Sequence, residues 1–166
     1  MSDLTDMPFS HLDASGTAKM VDVSHKTESL RTATATGLVR MAAATRQLVA
    51  DKALPKGDVF TVAKVAAILA AKRTGELIPM CHPLPLTDVQ VDLILEADGA
   101  RIIATASCVG RTGVEMEALT AVSVAALTVY DMCKAADKRL TIDDVHLVKK
   151  TGGKGGDFFY DGGETV

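Results

Sequence analysis

The sequence predicts an α+β fold in which helices pack on one face of a mainly antiparallel sheet, and three observations carry that expectation. Two alternating apolar segments, Val89 to Ala97 and Ala100 to Val109, flank Asp98-Gly99, a strong hairpin signal. The stretch from Thr112 to Ala136 is long, Ala-rich and apolar in its middle, as a buried helix would be. Strand-like and helix-like segments mix without the regular βαβ alternation of a parallel sheet, and no internal repeat is visible.

The elements follow in order. Residues 1–17 are polar and aperiodic, with Pro8, Ser15 and Gly16, and are expected to form a flexible arm before a single domain over 18–160 and a short tail over 161–166. Lys19 to Ser24 alternates as a short strand, and the Thr-rich Leu30 to Met41 as a longer one. Ala42 to Ala53 predicts a helix stopped by Pro55. Asp58 is placed to cap a second helix running to Arg73, with Gly75 as its stop. The hairpin and the long helix come next, and Leu140 to Val148 is the last strand before a Gly-rich segment.

Composition excludes several classes. A chain of 166 residues has room for one real core. With aromatics at 4% and no Trp, that core must be built from Ala, Val, Leu, Ile and Met. A net charge of −3 gives no global basic field for nucleic acid. No apolar run reaches the roughly 18 residues of a membrane span. The first residues lack the basic patch and apolar stretch of a secretory signal. Cys81, Cys108 and Cys133 are odd in number and lack CxxC spacing, which fits a reducing cytoplasm and argues against a disulfide scaffold or a zinc site.

The first place to look for acid–base chemistry is the end of the long helix. Asp131 and Lys134 are three positions apart and share a helical face. A plain surface ion pair is the competing reading. Glu117 points in nearly the same direction as Asp131, but fourteen residues of helix put them roughly 21 Å apart. One small substrate could hardly reach both from one copy of the helix, so either the ligand is long or a site borrows from two subunits. Glu115 also completes a Thr112-x-x-Glu115 capping box and so has a structural alternative.

Two loops add candidates. Pro79, Pro83 and Pro85 stiffen IPMCHPLPL and hold Cys81 and His82 in place, either as a site or as a packed connection. VKKTGGKGGD sets Lys149, Lys150 and Lys154 among four glycines. Glycines let backbone N–H groups approach an anion while the lysines bring charge, so the segment suits phosphates, although it lacks the P-loop pattern.

GDVFTVAKVAAILAAKRTGELIPMCHPLPLTDV, TGVEMEALTAVSVAALTVYDMCKA and KKTGGKGGDF occur in this order and closely resemble the cyclic pyranopterin monophosphate synthase accessory family of molybdenum cofactor biosynthesis. The resemblance spans about Met20 to Phe158. It implies a ferredoxin-like α+β fold and a homohexamer, a trimer of dimers with sites at subunit interfaces. It also implies a cytoplasmic lyase that converts 3′,8-cyclo-7,8-dihydroguanosine 5′-triphosphate to cyclic pyranopterin monophosphate and releases diphosphate. By motif match Asp131 and Lys134 are the catalytic pair, with Lys56 assisting. Met80, Cys81, His82, Glu115, Met116 and Glu117 are implied substrate contacts, and Arg31, Lys150 and Lys154 candidate phosphate ligands. No redox cofactor or protein-bound metal is called for, and any Mg²⁺ would arrive with the triphosphate. A nucleotide-binding module without turnover is the rival class. Asp131 speaks against it, because a pure anion site gains nothing from a carboxylate beside its cations.

Overall fold

The computed structural model describes residues 19–162. The arm expected over 1–17 lies outside the described residues, as do the last four residues of the expected tail.

The alternation in SLRTATATGLVR builds the central strand, β1 (Ser29–Arg40). Ala33, Ala35 and Val39 enter the core. The threonines between them satisfy their hydroxyls within the sheet, Thr34 with Thr105 at 2.8 Å and Thr36 donating to the Ile102 carbonyl at 2.9 Å. Two short helices and one long one follow: α1 (Ala43–Ala50), α2 (Val59–Lys72) and the single turn α3 (Thr74–Leu77). Then come β2 (Leu86–Leu95) and β3 (Gly99–Gly110), joined through Asp98 as the hairpin signal requires. The long helix α4 (Glu115–Cys133), β4 (Thr141–Thr151) and the two-residue β5 (Phe158–Phe159) complete the chain.

The strands form one antiparallel sheet in the order β2-β3-β1-β4-β5. With α2 and α4 as the crossovers, its first four strands have the β-α-β-β-α-β connection of a ferredoxin-like fold. The two helices cover one face and pack on each other through small side chains: Ala63, Ala67 and Ala71 of α2, and Ala118, Ala121 and Ala125 of α4. Gly37 marks the tightest approach of sheet to helix, since a Cβ there would lie 2.7 Å from Val122 Cγ1. Among the described residues α4 is the one helix long and apolar enough to cross a membrane, but half of it is buried inside the fold, packed on the sheet and α2.

Three local expectations are corrected. Lys19 to Ser24 is no strand: Asp22 accepts the Ser24 N–H at 2.9 Å and Lys26 N–H bonds to Val23, so side chain and backbone build a turn in place of a ladder. Gly75 does not stop α2, which ends at Lys72. It lies inside α3, where the Pro83 backbone comes within 3.1 Å of its missing Cβ. The Thr112–Glu115 capping box does not form: α4 starts after Val114 without a side-chain cap, and the Glu115 carboxylate goes to Lys150 at 2.9 Å. As expected, Asp58 does cap α2, accepting the Thr61 N–H at 3.1 Å.

Candidate active site

Two adjoining cavities open around the first turn of α4. One, of about 470 Å³, is lined by Lys26, Arg31, Arg111, Glu115, Lys150 and Lys154 together with the backbone of Thr151 to Gly155. The second, of about 410 Å³, is lined by Met80, Cys81, His82, Met116 and Glu117. They share Lys26, Thr112, Gly113 and Glu115, so they form one cleft with a cationic half and a mixed half. Their sizes suit a small ligand.

Local sequence explains the cationic half. β1 delivers Arg31, whose Nε donates to the Gly110 carbonyl at 3.2 Å. β4 delivers Lys150 beside it, and the chain then turns sharply through Gly152 and Gly153, both at positive φ. A Cβ on Gly153 would meet Arg31 Nη1 at 2.0 Å, so the loop rests directly on the guanidinium. Arg111, just past β3, is held by the Ser24 carbonyl at 3.1 Å and by Glu28 at 3.7 Å. Together with Lys26 from the turn before β1 and Lys154 from the Gly-rich loop, five segments thus bring five cations to one cavity whose lining holds a single acid, Glu115.

In the other half the Pro-rich loop presents Met80, Cys81 and His82, pinned by a turn from Cys81 N–H to the Ile78 carbonyl at 3.0 Å. Facing them, Glu117 is 3% exposed. Burial raises the pKa of its carboxyl, and the neighbouring Glu115 charge pushes the same way. Burial, and then the charge of Glu117, also raises the Cys81 thiol, so Cys81 is no activated nucleophile.

Asp131 and its lysines lie at the opposite end of α4. Asp131 Oδ1 meets Lys134 Nζ at 2.6 Å, and Oδ2 meets Lys56 Nζ at 2.6 Å. Lys56 also donates to the Asp131 backbone carbonyl at 3.1 Å, one of the carbonyls a helix leaves unpaired in its last turn. The hydrogen bond from Lys134, then that from Lys56, lowers the Asp131 pKa to about 2. Asp131 in turn raises the pKa of Lys134. The loop bearing Lys56 is braced by Lys52, itself at φ +52°, which pairs with Asp58 at 2.7 Å.

Against known proteins, the MoaC family profile matches residues 20–153. The chain belongs to the MoaC family. The cyclic pyranopterin monophosphate synthase of Desulfatibacillum aliphaticivorans is 56% identical over 156 residues, 93% of this chain and 98% of that protein. The synthase of the same name from Roseiflexus sp. (strain RS-1) is 56% identical over 163 residues, 97% of this chain and all of that protein. That of Rhodospirillum rubrum is 57% identical over 148 residues, 88% of this chain and 89% of its own length.

In this MoaC chain the fold divides the sequence-derived residues into two groups. Arg31, Met80, Cys81, His82, Glu115, Met116, Glu117, Lys150 and Lys154 all line the cleft. Lys56, Asp131 and Lys134 do not reach it, and stand together at the other end of the helix. Sequence reasoning missed Lys26 and Arg111. They sit in irregular segments with no motif of their own, and only the pairing of β1 with β3 and β4 brings them to Lys150. Among the described residues no cluster of His, Cys, Asp and Glu is arranged to hold a metal ion.

Proposed function

We propose that this chain is a cyclic pyranopterin monophosphate synthase, a cytoplasmic lyase that converts 3′,8-cyclo-7,8-dihydroguanosine 5′-triphosphate to cyclic pyranopterin monophosphate with release of diphosphate. The observation that carries the reading is family membership with relatives of that name matched over nearly the whole chain. The site's chemistry supports it. A substrate with three phosphates calls for several cations, and the cationic half of the cleft supplies Lys26, Arg31, Arg111, Lys150 and Lys154. Opening a guanine ring and closing a pterin call for repeated proton transfers. The Lys56–Asp131–Lys134 cluster offers two ammonium donors in fixed places, with the ionised Asp131 orienting both. Free thiols at Cys81, Cys108 and Cys133 fit the cytoplasm.

The working site in this proposal is composite, with the cleft of one subunit completed by the Lys56–Asp131–Lys134 cluster of another in a homohexamer, a trimer of dimers. Its support is the roughly 21 Å of helix between Glu117 and Asp131. Further support comes from the outer face of α2, where Val62, Val65 and Leu69 stand exposed at helical spacing and offer an apolar surface to another subunit. Incubating the purified protein with the cyclic triphosphate and following products by mass spectrometry tests the activity. Conversion with stoichiometric diphosphate is the expected result. Tight binding with the ligand unchanged would establish the rival, a nucleotide-binding module. Light scattering on the same sample should return the mass of six chains.

A further inference from the structure

Asp137 belongs neither to the lining of the cleft nor to the Lys56–Asp131–Lys134 cluster. It is a carboxylate 7% exposed, three residues beyond Lys134. The chain leaves α4 through a tight turn in which the N–H groups of Ala136 and Asp137 bond to the Cys133 carbonyl at 2.9 and 3.1 Å. That turn aims the Asp137 side chain at the start of α1. Its Oδ2 accepts the Ala42 N–H at 3.0 Å and the Thr45 hydroxyl at 3.2 Å, while Oδ1 accepts the Arg139 N–H at 2.9 Å.

The cap residue of α1 is Ala42, which has no side chain to offer the unpaired N–H groups of the first turn. Asp137 supplies the missing acceptor and a negative charge at the positive end of the helix, from the far side of the sequence. Besides Asp137, α1 is held by Arg46, which donates to the Glu96 carbonyl at 3.2 Å, and by Leu48 and Val49 against the core. Of its eight residues only Thr45 and Val49 are buried, and Thr45 is one of the residues that Asp137 grips. From the last turn of α1 the chain runs through Lys52, Leu54 and Pro55 straight to Lys56. Lys56 must then reach Asp131, whose own turn is continuous with Asp137. One carboxylate therefore joins the two segments whose side chains meet in the cluster.

We propose that Asp137 is a positioning residue that locks α1 to the end of α4 and so fixes the distance between Lys56 and the Asp131–Lys134 turn. The proposal rests on the reading of that cluster as the reacting groups. Small displacements are costly in such an arrangement, since misplacing a reacting group by about 1 Å can lower a rate by as much as about a hundredfold.

The test is single-turnover kinetics with enzyme in excess, which keeps slow variants measurable, on Asp137→Ala, Lys56→Ala and the double variant. Active sites are counted by calorimetric titration with substrate. Asp137→Ala is expected to lower the rate of the chemical step about tenfold while the substrate dissociation constant stays within about twofold, because Asp137 touches none of the cations that would hold the phosphates. Asp137→Asn, which keeps an acceptor for Ala42 and Thr45, should recover most of the rate. In the Lys56→Ala background, Asp137→Ala should cost less than about twofold, since the group it positions is already gone. General loosening of the fold would multiply through both backgrounds, and that result overturns the proposal. If Asp137→Ala does not fold, Thr45→Val removes one donor to the same carboxylate. It should slow the chemical step about threefold with unchanged affinity and show the same lack of additivity. Lys56→Ala at the wild-type rate would defeat the reading of the cluster and this proposal with it. Slow Lys56→Ala beside wild-type-like Asp137→Ala or Thr45→Val would defeat this proposal alone.

Discussion

Glu117 and Asp131 lie on nearly the same side of α4, roughly 21 Å apart along its axis, and meet opposite environments. Glu117 is buried and lines the cleft with Met80, Cys81 and His82, whereas the Asp131 side chain is half-exposed between two lysines. If both serve one reaction, two copies of the chain must meet. Glu117→Ala and Asp131→Asn proteins should each be inactive, and mixing them after reversible dissociation should restore part of the turnover, because some interfaces then regain a complete site. Subunit exchange followed by native mass spectrometry provides the control. Proven exchange with no recovered activity would place a full site in each chain.

The cluster itself should behave as one unit. Asp131 bridges Lys56 and Lys134 at 2.6 Å each, so removing the carboxylate breaks both ion pairs at once. Asp131→Asn and Lys134→Ala should each abolish turnover, and the double variant should cost little more than either single one, as for groups that act together. These side chains are about half-exposed, where ion pairs add little to stability, so the melting temperature should hardly change. Rate measurements beside thermal melts check both halves of this expectation. A single variant with near-normal turnover would remove the cluster from the chemistry.

Much of the fold could be read from the sequence because its signals are local. The Asp98-Gly99 signal (the turn itself falls one residue earlier, at Ala97-Asp98, and Gly99 opens β3), the Thr/Ala alternation of β1, the Asp58 cap and the apolar middle of α4 each specify a shape within a few residues. The failures share a cause as well. Thr112-x-x-Glu115 reads as a capping box until Lys150, thirty-five residues away, takes the carboxylate. KMVDVS alternates like a strand, but among the described residues no strand pairs with it and Asp22 bonds locally instead. The Asp131–Lys134 pair and the Met80–Cys81–His82 run were legible as groups, from their spacing and motifs. Lys26, Arg111 and Asp137 were not, since each acquires its partners only through tertiary contacts.

Burial of Glu117 makes a prediction with a definite sign. Its folded pKa is raised above the ordinary glutamate value of 4.5, so the charged form is disfavoured in the folded state at neutral pH. The associated stability is present below the ordinary value and is lost as pH rises through the raised one. Glu117→Gln should therefore raise the melting temperature at pH 7, and the gain should shrink as pH falls from the raised value toward 4.5 and vanish below it. If this carboxylate also contacts substrate, its protonation shapes the acid limb of turnover per bound substrate, and the Gln variant should lose that limb. Melting curves across pH and a rate profile are the measurements. A gain in melting temperature that does not vary with pH would mean that desolvation is not the cause.

Phosphate binding can be separated from proton transfer at Lys154. It stands just past Gly152 and Gly153, on the loop that folds over Arg31, and faces the cationic cavity with Lys26, Arg111 and Lys150. A charge-assisted contact from Lys154 to a phosphate is worth about 1.5–3 kcal/mol. Its removal in Lys154→Ala should then weaken binding of the triphosphate by roughly one to two powers of ten. The same compound without phosphates should bind the variant and the wild type alike, because the mixed half of the cleft is untouched. Raising the salt concentration should narrow the difference, since a partly exposed ammonium is screened. Were Lys154 a proton donor instead, affinity would hold and only turnover would fall. Calorimetric titrations with both ligands at two ionic strengths decide between these, and an equal loss for both ligands would remove Lys154 from the phosphate site.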